Sequence, residues 1–256
     1  CFDDVIWGSA EVMAQTRERA RAAGLRVRDL DIDYQDRTGD TGVAVTDVTL
    51  ALDERDIRIF SGASGTIRAE RLRVRMGRHE TTSAALDGRM AFDGSNITLQ
   101  ALTVPLPEGR IVIAGRVNRA LDDLRFALTL GGTLDYAALA AWTPPPVPVS
   151  GVGTFTGTFE GPLGGYELRA DFGADALRIG RAAGLPLAGT ISVTPPRALV
   201  ERFTVTAPVS PASPRRGAIA GRFTYTFGQG ASDLTASFRD LDLDVALAAY
   251  EREPLT

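Results

Sequence analysis

The side chains that could carry out catalysis or bind a metal are few and scattered in this chain. A Ser/His/Asp triad or a histidine-ligated metal would have to use His79, because it is the single histidine. The surrounding "MGRHETT" is polar and predicts a surface turn. Cys1 is the single cysteine, which excludes an intramolecular disulfide and a metal site built on cysteines. These residues favour a function that is not enzymatic and needs no cofactor or metal.

Two runs of alternating carboxylates are the remaining candidates for a metal site. Each places three aspartates on one face of a predicted strand: Asp29, Asp31, Asp33, Asp240, Asp242 and Asp244. Three adjacent carboxylates could bind calcium. The loop glycine and the final glutamate of an EF-hand are absent, and alternating aspartates also suit a strand that faces solvent. We interpret both runs as solvent-facing.

Three further motifs give weak signals. "GVGTFTG" (151–157) departs from the G-x-G-x-x-G spacing and no helix pattern follows it, which argues against a dinucleotide site. Asn96-Ile97-Thr98 matches a glycosylation sequon, a triplet that is common by chance. No carboxylate pair stands out for glycoside hydrolysis, although an acid-rich β-protein could contain one.

The elements that would position any site are β-strands. From Leu25 onward apolar and polar residues alternate, as in "RIVIAGRV", "DLRFALTL" and "YELRADF", and this period of two predicts strands with one apolar face. Asp93-Gly94 is a hairpin signal, and a change of apolar phase around Leu102 predicts a bulge. The one predicted helix spans residues 9–23, between Ser9 as a cap and Gly24.

Composition excludes several classes of protein. The chain of 256 residues is 44% hydrophobic and 23% charged, which is typical of a folded soluble protein. Its net charge of −4 gives no electrostatic case for nucleic-acid binding. It contains neither a run of about 18 apolar residues, as a membrane span requires, nor a signal peptide.

Since it starts with Cys1 and stops within a repeat, we expect an internal fragment of a longer chain; a lipidated N-terminal Cys1 is the alternative.

The chain repeats itself. "IAGRV" at 113–117 returns as "IAGRF" at 219–223, and "LDYAALAAW", which ends at Trp142, returns as "LDVALAAY", which ends 108 residues later at Tyr250. "RDLDIDY" at 28–34 returns as "RDLDLDV" at 239–245. We therefore divide the chain into a helix-containing segment, 1–28, and a continuous β-repeat region, 29–256. The copies run roughly over 29–134 and 135–243, and a third starts at 244.

Copies of about a hundred residues must each contain several strands. Antiparallel copies can join edge to edge into one continuous sheet, or each can close as a β-sandwich. We expect an all-β fold, an extended and twisted antiparallel groove with one short N-terminal helix. Both proline-rich stretches, at 144–148 and 207–217, are interpreted as connections between strands and not as domain linkers.

The apolar strand faces allow two interpretations, a closed core filled by side chains or a groove for acyl chains. Small residues such as Gly115, Gly157, Ala170 and Gly221 lie in phase with the large ones, which favours a groove. The predicted groove lining consists of the following residues: Ile97, Leu99, Ile111, Ile113, Val117, Leu124, Phe126, Leu128, Leu130, Phe155, Phe159, Leu168, Phe172, Phe223, Tyr225, Phe227, Leu241 and Leu243.

The order of these motifs resembles the AsmA-like clan and, within it, the translocation and assembly module (TamB) family. The resemblance rests on "LDGRMAFDGSNITLQALTVPLPEGRIVIAGRV", "LDYAALAAW" and "PVPVSGVGTFTGTFEGPLGG". Pro148-Val149-Ser150-Gly151, Gly157 and Gly161-Pro162 match a recurrent pattern of that family. The resemblance covers most of residues 25–250, but its motifs are largely glycines in β-rich repeats.

The resemblance implies a periplasmic, bridge-like lipid carrier. Such a protein would move phospholipid between the inner and outer membranes, hold acyl chains in a β-groove and support outer-membrane protein assembly with a barrel partner of the BamA type. An inner-membrane anchor would lie in a segment outside this sequence. The alternative is an extracytoplasmic β-sandwich that binds protein or glycan, or a hydrolase on such a scaffold.

Overall fold

A computed structural model describes residues 26–35, 41–52, 63–76, 79–93, 95–120, 123–140, 147–162, 164–207, 217–226 and 231–240. Cys1 and the predicted helix at 9–23 lie outside these residues. Almost all of the described chain is in β-strands, so the prediction of an all-β fold is confirmed. The division into copies stays a prediction.

The described residues form sixteen strands and one short helix. The strands are β1 (Arg26–Gln35), β2 (Thr41–Leu52), β3 (Ala63–Ala69), β4 (Arg71–Met76), β5 (His79–Ser83), β6 (Leu86–Phe92), β7 (Ile97–Leu106), β8 (Gly109–Asn118), β9 (Arg125–Asp135), β10 (Val149–Ser150), β11 (Val152–Pro162), β12 (Glu167–Ile179), β13 (Ala182–Thr194), β14 (Arg197–Thr206), β15 (Ala218–Thr226) and β16 (Ala231–Arg239). The helix α1 (Tyr136–Ala140) follows β9.

All strands belong to a single antiparallel sheet. Its main path runs β16-β15-β14-β13-β12-β11-β9-β8-β7-β6-β3-β2, so strands that follow one another in sequence are mostly neighbours in space. β10 pairs with the far end of β12. The continuous sheet is therefore correct, and the alternative of two closed β-sandwiches is wrong. Both proline-rich stretches connect strands of this sheet, as predicted: β9 pairs with β11, and β14 pairs with β15.

The sheet forks at β2. Residues 49–52 of β2 pair with β3, whereas residues 41–46 pair with β4 on the same edge. Asp47, with a φ of 55°, lies between these two segments. β1 occupies the opposite edge of β2, and β4 pairs onward with β5. The β4–β5 hairpin is therefore a branch outside the main path.

Two local predictions are confirmed between β6 and β8. The pairing of β7 with β8 shifts register between Leu99 and Leu102, which is the predicted bulge. β6 and β7 form the predicted hairpin. In its turn the Asp93 carboxylate accepts hydrogen bonds from the backbone N–H groups of Ser95 and Asn96, at 3.2 and 2.8 Å. In such an Asx turn, the side-chain carboxylate takes the place of a backbone carbonyl as the hydrogen-bond acceptor.

Helix α1 contradicts the expectation that the chain is β throughout after Leu25. The Oδ1 atom of Asp135 accepts hydrogen bonds from the N–H groups of Ala137 and Ala138, at 2.8 and 3.2 Å. The first N–H groups of a helix have no partner within the helix, so a side chain that accepts hydrogen bonds from them favours a helix start. Alanine, which follows here, is the best helix former. One turn of helix therefore replaces the strand pattern here.

Two clusters of buried side chains form the core, and both lie at the same end of the strands. The first contains Val48, Ala69, Leu86 and Val104, and the second contains Ala174, Leu177, Ala182, Leu185 and Val205. The turns β7–β8 and β12–β13 lie at this end, which we call the closed end. The opposite end, with the turns β6–β7 and β11–β12, is called the open end.

Candidate functional site: the apolar inner face

Strand register shows which side chains share a face of the sheet. Residues paired across an antiparallel sheet point to the same side. Phe159 of β11 pairs with Leu128 of β9 and with Leu168 of β12. From Leu128 the row continues through Gly115 and Leu99. From Leu168 it continues through Val193, Ala198 and Tyr225. We call this side the inner face.

The register places nearly all of the predicted lining residues on the inner face. They are Ile97, Leu99, Ile111, Ile113, Val117, Phe126, Leu128, Leu130, Phe155, Phe159, Leu168, Phe172, Phe223 and Tyr225. Leu124 directly precedes β9, which begins at Arg125, and is half-buried, so its place in the lining stays a prediction. Phe227, Leu241 and Leu243 lie outside the described residues.

The opposite, outer face is polar and exposed. It carries the residues predicted to alternate with the lining: Arg116, Arg125, Glu167, Arg169 and Arg222. Arg169 pairs with Glu201 across two strands, with 2.8 Å between Nη2 and Oε1. The Thr190 hydroxyl donates to Asp171 at 2.7 Å. The sheet is therefore amphipathic, with solvated charges on one side and hydrocarbon on the other.

Three glycines on the inner face lie close to the backbone of a neighbouring strand. A Cβ atom placed on Gly115, Gly157 or Gly221 would lie within 3.0 Å of a backbone carbonyl oxygen on the next strand. On the outer face, a Cβ atom on Gly131 would keep 3.6 Å from the nearest atom. The backbone of the neighbouring strand therefore leaves no room for a side chain at these three inner-face positions.

At the closed end, the β4–β5 branch covers part of the inner face. Val45 and Leu72 pack against the same buried cluster as Ile111 and Ile113 of β8. The Thr81 hydroxyl of β5 donates to Oε2 of Glu108, in the β7–β8 turn, at 2.7 Å. Two predicted lining residues, Ile111 and Ile113, therefore pack against a closed core.

At the open end, the inner face stays half-exposed. Ile97, Val117, Phe126, Phe159 and Val193 are all partly accessible, and neither buried cluster extends over them. Between the two ends only single residues are buried, namely Met90, Leu128 and Ala170. The described inner face, which we call the trough, therefore packs against buried clusters at the closed end and is only partly buried at the open end.

Three aromatic rings line the open end. The ring of Phe126 lies 4.9 Å from that of Phe159, at an interplanar angle of 61°. The ring of Phe159 lies 4.9 Å from that of Tyr166, at 32°. Edge-to-face and tilted contacts at this distance are favourable. The three rings therefore form one apolar surface at the open end, in which each ring is partly buried.

Sequence reasoning missed Tyr136, which reaches the closed end from α1. Tyr136 packs against the second buried cluster, and its ring leaves no room for a Cβ atom on Gly153. Its hydroxyl is buried and has no hydrogen-bond partner, and burial raises the pKa of Tyr136. Asp135 before an alanine-rich segment was the signal that could have predicted this helix.

The other candidate residues do not come together into a site. Among the described residues, no group of three or more His, Cys, Asp or Glu side chains could hold a metal ion. His79 is the first residue of β5 and pairs with Met76, so it belongs to a strand and not to the predicted turn. Asp240 follows β16 with a φ of 48°, which corrects its predicted place on a strand face; Asp242 and Asp244 lie outside the described residues.

The glycosylation sequon begins in the turn between β6 and β7, and the glycine-rich motif lies in the sheet. The Asn96 side-chain amide donates to both carboxylate oxygens of Asp93, at 3.0 Å each. Residues 152–157 of the glycine-rich motif belong to β11, and the next element is the strand β12.

No helix of the described chain is long and apolar enough to cross a membrane. Comparison with protein-family models, curated proteins and solved structures gives no match for this chain.

Proposed function

We propose that this chain is a segment of a periplasmic, bridge-like lipid carrier, similar to the AsmA-like clan and its TamB family, and that its inner face holds phospholipid acyl chains. The observation that supports the proposal is the apolar inner face at the open end, which neither buried cluster covers. Uncovered apolar surface on a soluble protein often marks a site that binds something.

Acyl chains suit this surface for a physical reason. Each Å² of apolar surface removed from water contributes roughly 25 cal/mol, and this gain needs no directed polar contact. The described inner face offers methyl groups and aromatic rings but no cluster of charges. A phospholipid would place its tails along the trough and leave its headgroup in water at the open end.

The wider setting of the proposal rests on the sequence resemblance. In the longer protein, an inner-membrane anchor would lie outside this segment, and an outer-membrane barrel of the BamA type would be the partner. Repeated strands would extend the trough between the two membranes. In this role the segment is not an enzyme and needs no cofactor.

Native mass spectrometry of the purified chain, incubated with phospholipid vesicles, tests the proposal. We expect adducts with the mass of phospholipid on the unmodified chain. Phe126→Asp should reduce them, because it replaces an apolar ring with a carboxylate that must lose water when an acyl chain covers it. Arg125→Asp, one residue away on the outer face, is the matched control and should keep them. Absence of adducts on the unmodified chain, or equal adducts on both variants, contradicts the proposal.

A further inference from the structure

The β4–β5 branch continues strands of the main sheet without a change of register. In the main sheet, Arg68 of β3 pairs with Thr49 of β2. Three residues further on, Arg71 of β4 pairs with Thr46 in the same register. Likewise, β4 pairs with β5 in the register in which β3 pairs with β6. The branch is therefore the far half of a long hairpin whose near half belongs to the main sheet.

The interruptions between the two halves form one line across the strands. Asp47 in β2 has a φ of 55°, in the left-handed region that residues other than glycine rarely adopt. The register places Asp47 opposite Glu70, the residue between β3 and β4. It also places Glu70 opposite Ala85, between β5 and β6. A few residues at the ends of elements that absorb a change of backbone direction are typical of a hinge. We call these three residues the hinge line.

Buried side chains show that the branch folds over the inner face at the hinge line. On the main-sheet side, Val48 and Ala69 are buried. On the branch side, Val45 and Leu72 pack against the same cluster. In each strand the two residues are three apart, and in a straight strand they would point to opposite faces. Since they meet in one cluster, the strands must turn over between them.

The branch covers part of the trough. Val45 and Leu72 pack against the cluster that also receives Ile111 and Ile113 of β8. Ile113 pairs with Leu130 of β9, so the surface beneath the branch is continuous with the inner face beyond it. An acyl chain in the trough could extend over the two isoleucines if the branch were withdrawn. The side chains of the branch therefore take the place of an apolar ligand.

A hydrogen bond fastens the branch in this position. The Thr81 hydroxyl of β5 donates to Oε2 of Glu108 in the β7–β8 turn at 2.7 Å, and Thr81 is only 6% accessible. Apolar packing is not directional, whereas this bond fixes β5 at one place on the turn. Valine at position 81 would keep the shape of the side chain but lose the bond. Thr82 lies on the opposite face of β5 and pairs with Arg73.

We propose that the β4–β5 branch is a lid that opens at the hinge line and gives an acyl chain access to Ile111 and Ile113. The ligand rests on the proposed function, but the movement does not. An acyl chain binds the open form because the branch occupies this surface in the closed form. Such a difference in affinity shifts the population towards the open form. Since one apolar contact replaces another, little apolar surface is left in water.

Thiol labelling tests the movement without lipid. Val104→Cys in a Cys1→Ser chain places a single thiol in the cluster beneath the branch, where Val104 is 2% accessible. Adding Thr81→Val should raise the alkylation rate of this thiol about fivefold, as the loss of one hydrogen bond predicts. Thr82→Val makes the same change on the opposite face of β5 and should leave the rate unchanged.

A thiol in the second buried cluster separates opening of the lid from unfolding of the chain. Leu185→Cys, again in a Cys1→Ser chain, places it there. Thr81→Val should not change its alkylation rate. Equal acceleration at positions 104 and 185 would mean that the whole sheet unfolds, and it would overturn the proposal. An unchanged rate at position 104 would overturn it too.

Photoreactive acyl chains test the ligand. The probe is a vesicle of phosphatidylethanolamine and phosphatidylglycerol that contains a photoreactive phospholipid, and peptide mass spectrometry locates the adducts. Thr81→Val should raise the ratio of adducts on Ile111 and Ile113 to adducts on Phe126 about fivefold. An unchanged ratio, with adducts on Phe126, would overturn the lid and leave the proposed function intact. Adducts at neither place would contradict the proposed function, and acyl-chain access with it.

Discussion

The two ends of the sheet differ in how deeply the inner-face side chains of the same strands are buried. At the closed end, turns and the β4–β5 branch bring residues such as Val48 and Leu185 to 2% and 4% accessibility. At the open end, Phe126 and Phe159 belong to the same strand faces and remain half-buried. The difference shows that alternation alone makes an apolar face, and that additional chain must fold over it to make a core. Stability should therefore concentrate at one end and binding at the other.

The largest expected effect is the loss of a leucine from the closed end. Leu185→Ala should lower the free energy of unfolding by roughly 2–5 kcal/mol, since it leaves a cavity in a packed cluster. Leu168→Ala, at the open end, deletes the same atoms from a half-exposed site and should cost about 1 kcal/mol. Urea unfolding of the two variants measures the difference. Equal losses would mean that the open end is as closely packed as the closed end.

A smaller effect on stability concerns the glycines that lie close to the backbone of a neighbouring strand. Gly221→Ala should cost about 1–3 kcal/mol, because its Cβ atom would meet the Thr235 carbonyl and the Phe203 ring. Gly164→Ala is the control, since nothing lies within 4 Å of the added atom. Thermal unfolding of both variants tests the argument. A neutral Gly221→Ala would show that the sheet needs no close backbone approach.

Much of the inner face could be predicted from sequence because it depends on local alternation. The pairing of Phe159 with Leu128 and Leu168 only requires that each strand keep its period of two. The bulge near Leu102 was predictable because one inserted residue shifts every later apolar position. Repetition of "IAGR" predicted that strands from different copies would carry equivalent faces.

The two ends could not be told apart from sequence because packing between distant segments creates their difference. Nothing in the sequence "VTDVTL" around Asp47 indicates that the strand paired with β2 changes from β4 to β3 near this residue. Ile111 and Ile113 have the same local pattern as Phe126, yet the branch covers only the former pair. Helix α1 is hard to predict from sequence because "LDYAALAAW" belongs to a repeat whose other segments are strands, and Asp135 as a helix cap is its main helical signal.

A still smaller effect on stability is expected from the buried hydroxyl of Tyr136 at the closed end. Tyr136→Phe removes a buried hydroxyl that has no hydrogen-bond partner. Since an unpaired buried polar group costs free energy, the variant should match the original chain or exceed its stability by about 1 kcal/mol. Chemical denaturation measures the change. A clear loss of stability would show that the hydroxyl has a partner and that the closed end is not purely apolar.

The smallest expected effect on stability comes from the β6–β7 turn at the open end. Hydrogen bonds from Asn96 and Ser95 lower the pKa of Asp93 below its ordinary value of 3.8. A carboxyl group whose pKa is lower in the folded than in the unfolded protein stabilises the fold at pH values above the unfolded-state pKa. This contribution disappears as the pH falls through the folded-state pKa. Asp93→Asn should therefore be slightly less stable than the original chain at pH 7. The two should converge once the pH has fallen below the lowered pKa of Asp93.

Urea midpoints of both proteins across this pH range test the turn. The group is fully exposed, so the difference should be near the limit of measurement. A large difference that persists at low pH would mean that the turn supports the open end through packing instead of through this carboxylate.

Photo-cross-linking to phospholipid tests the central claim, an accessible apolar trough at the open end, most directly. A photoreactive amino acid would be placed at position 126 on the inner face, at 125 on the outer face and at 185 in the closed end. In the presence of radiolabelled phospholipid, position 126 should be labelled strongly, while 125 and 185 should show only background. Equal labelling at 125 and 126, or stronger labelling at 185 than at 126, would contradict the account.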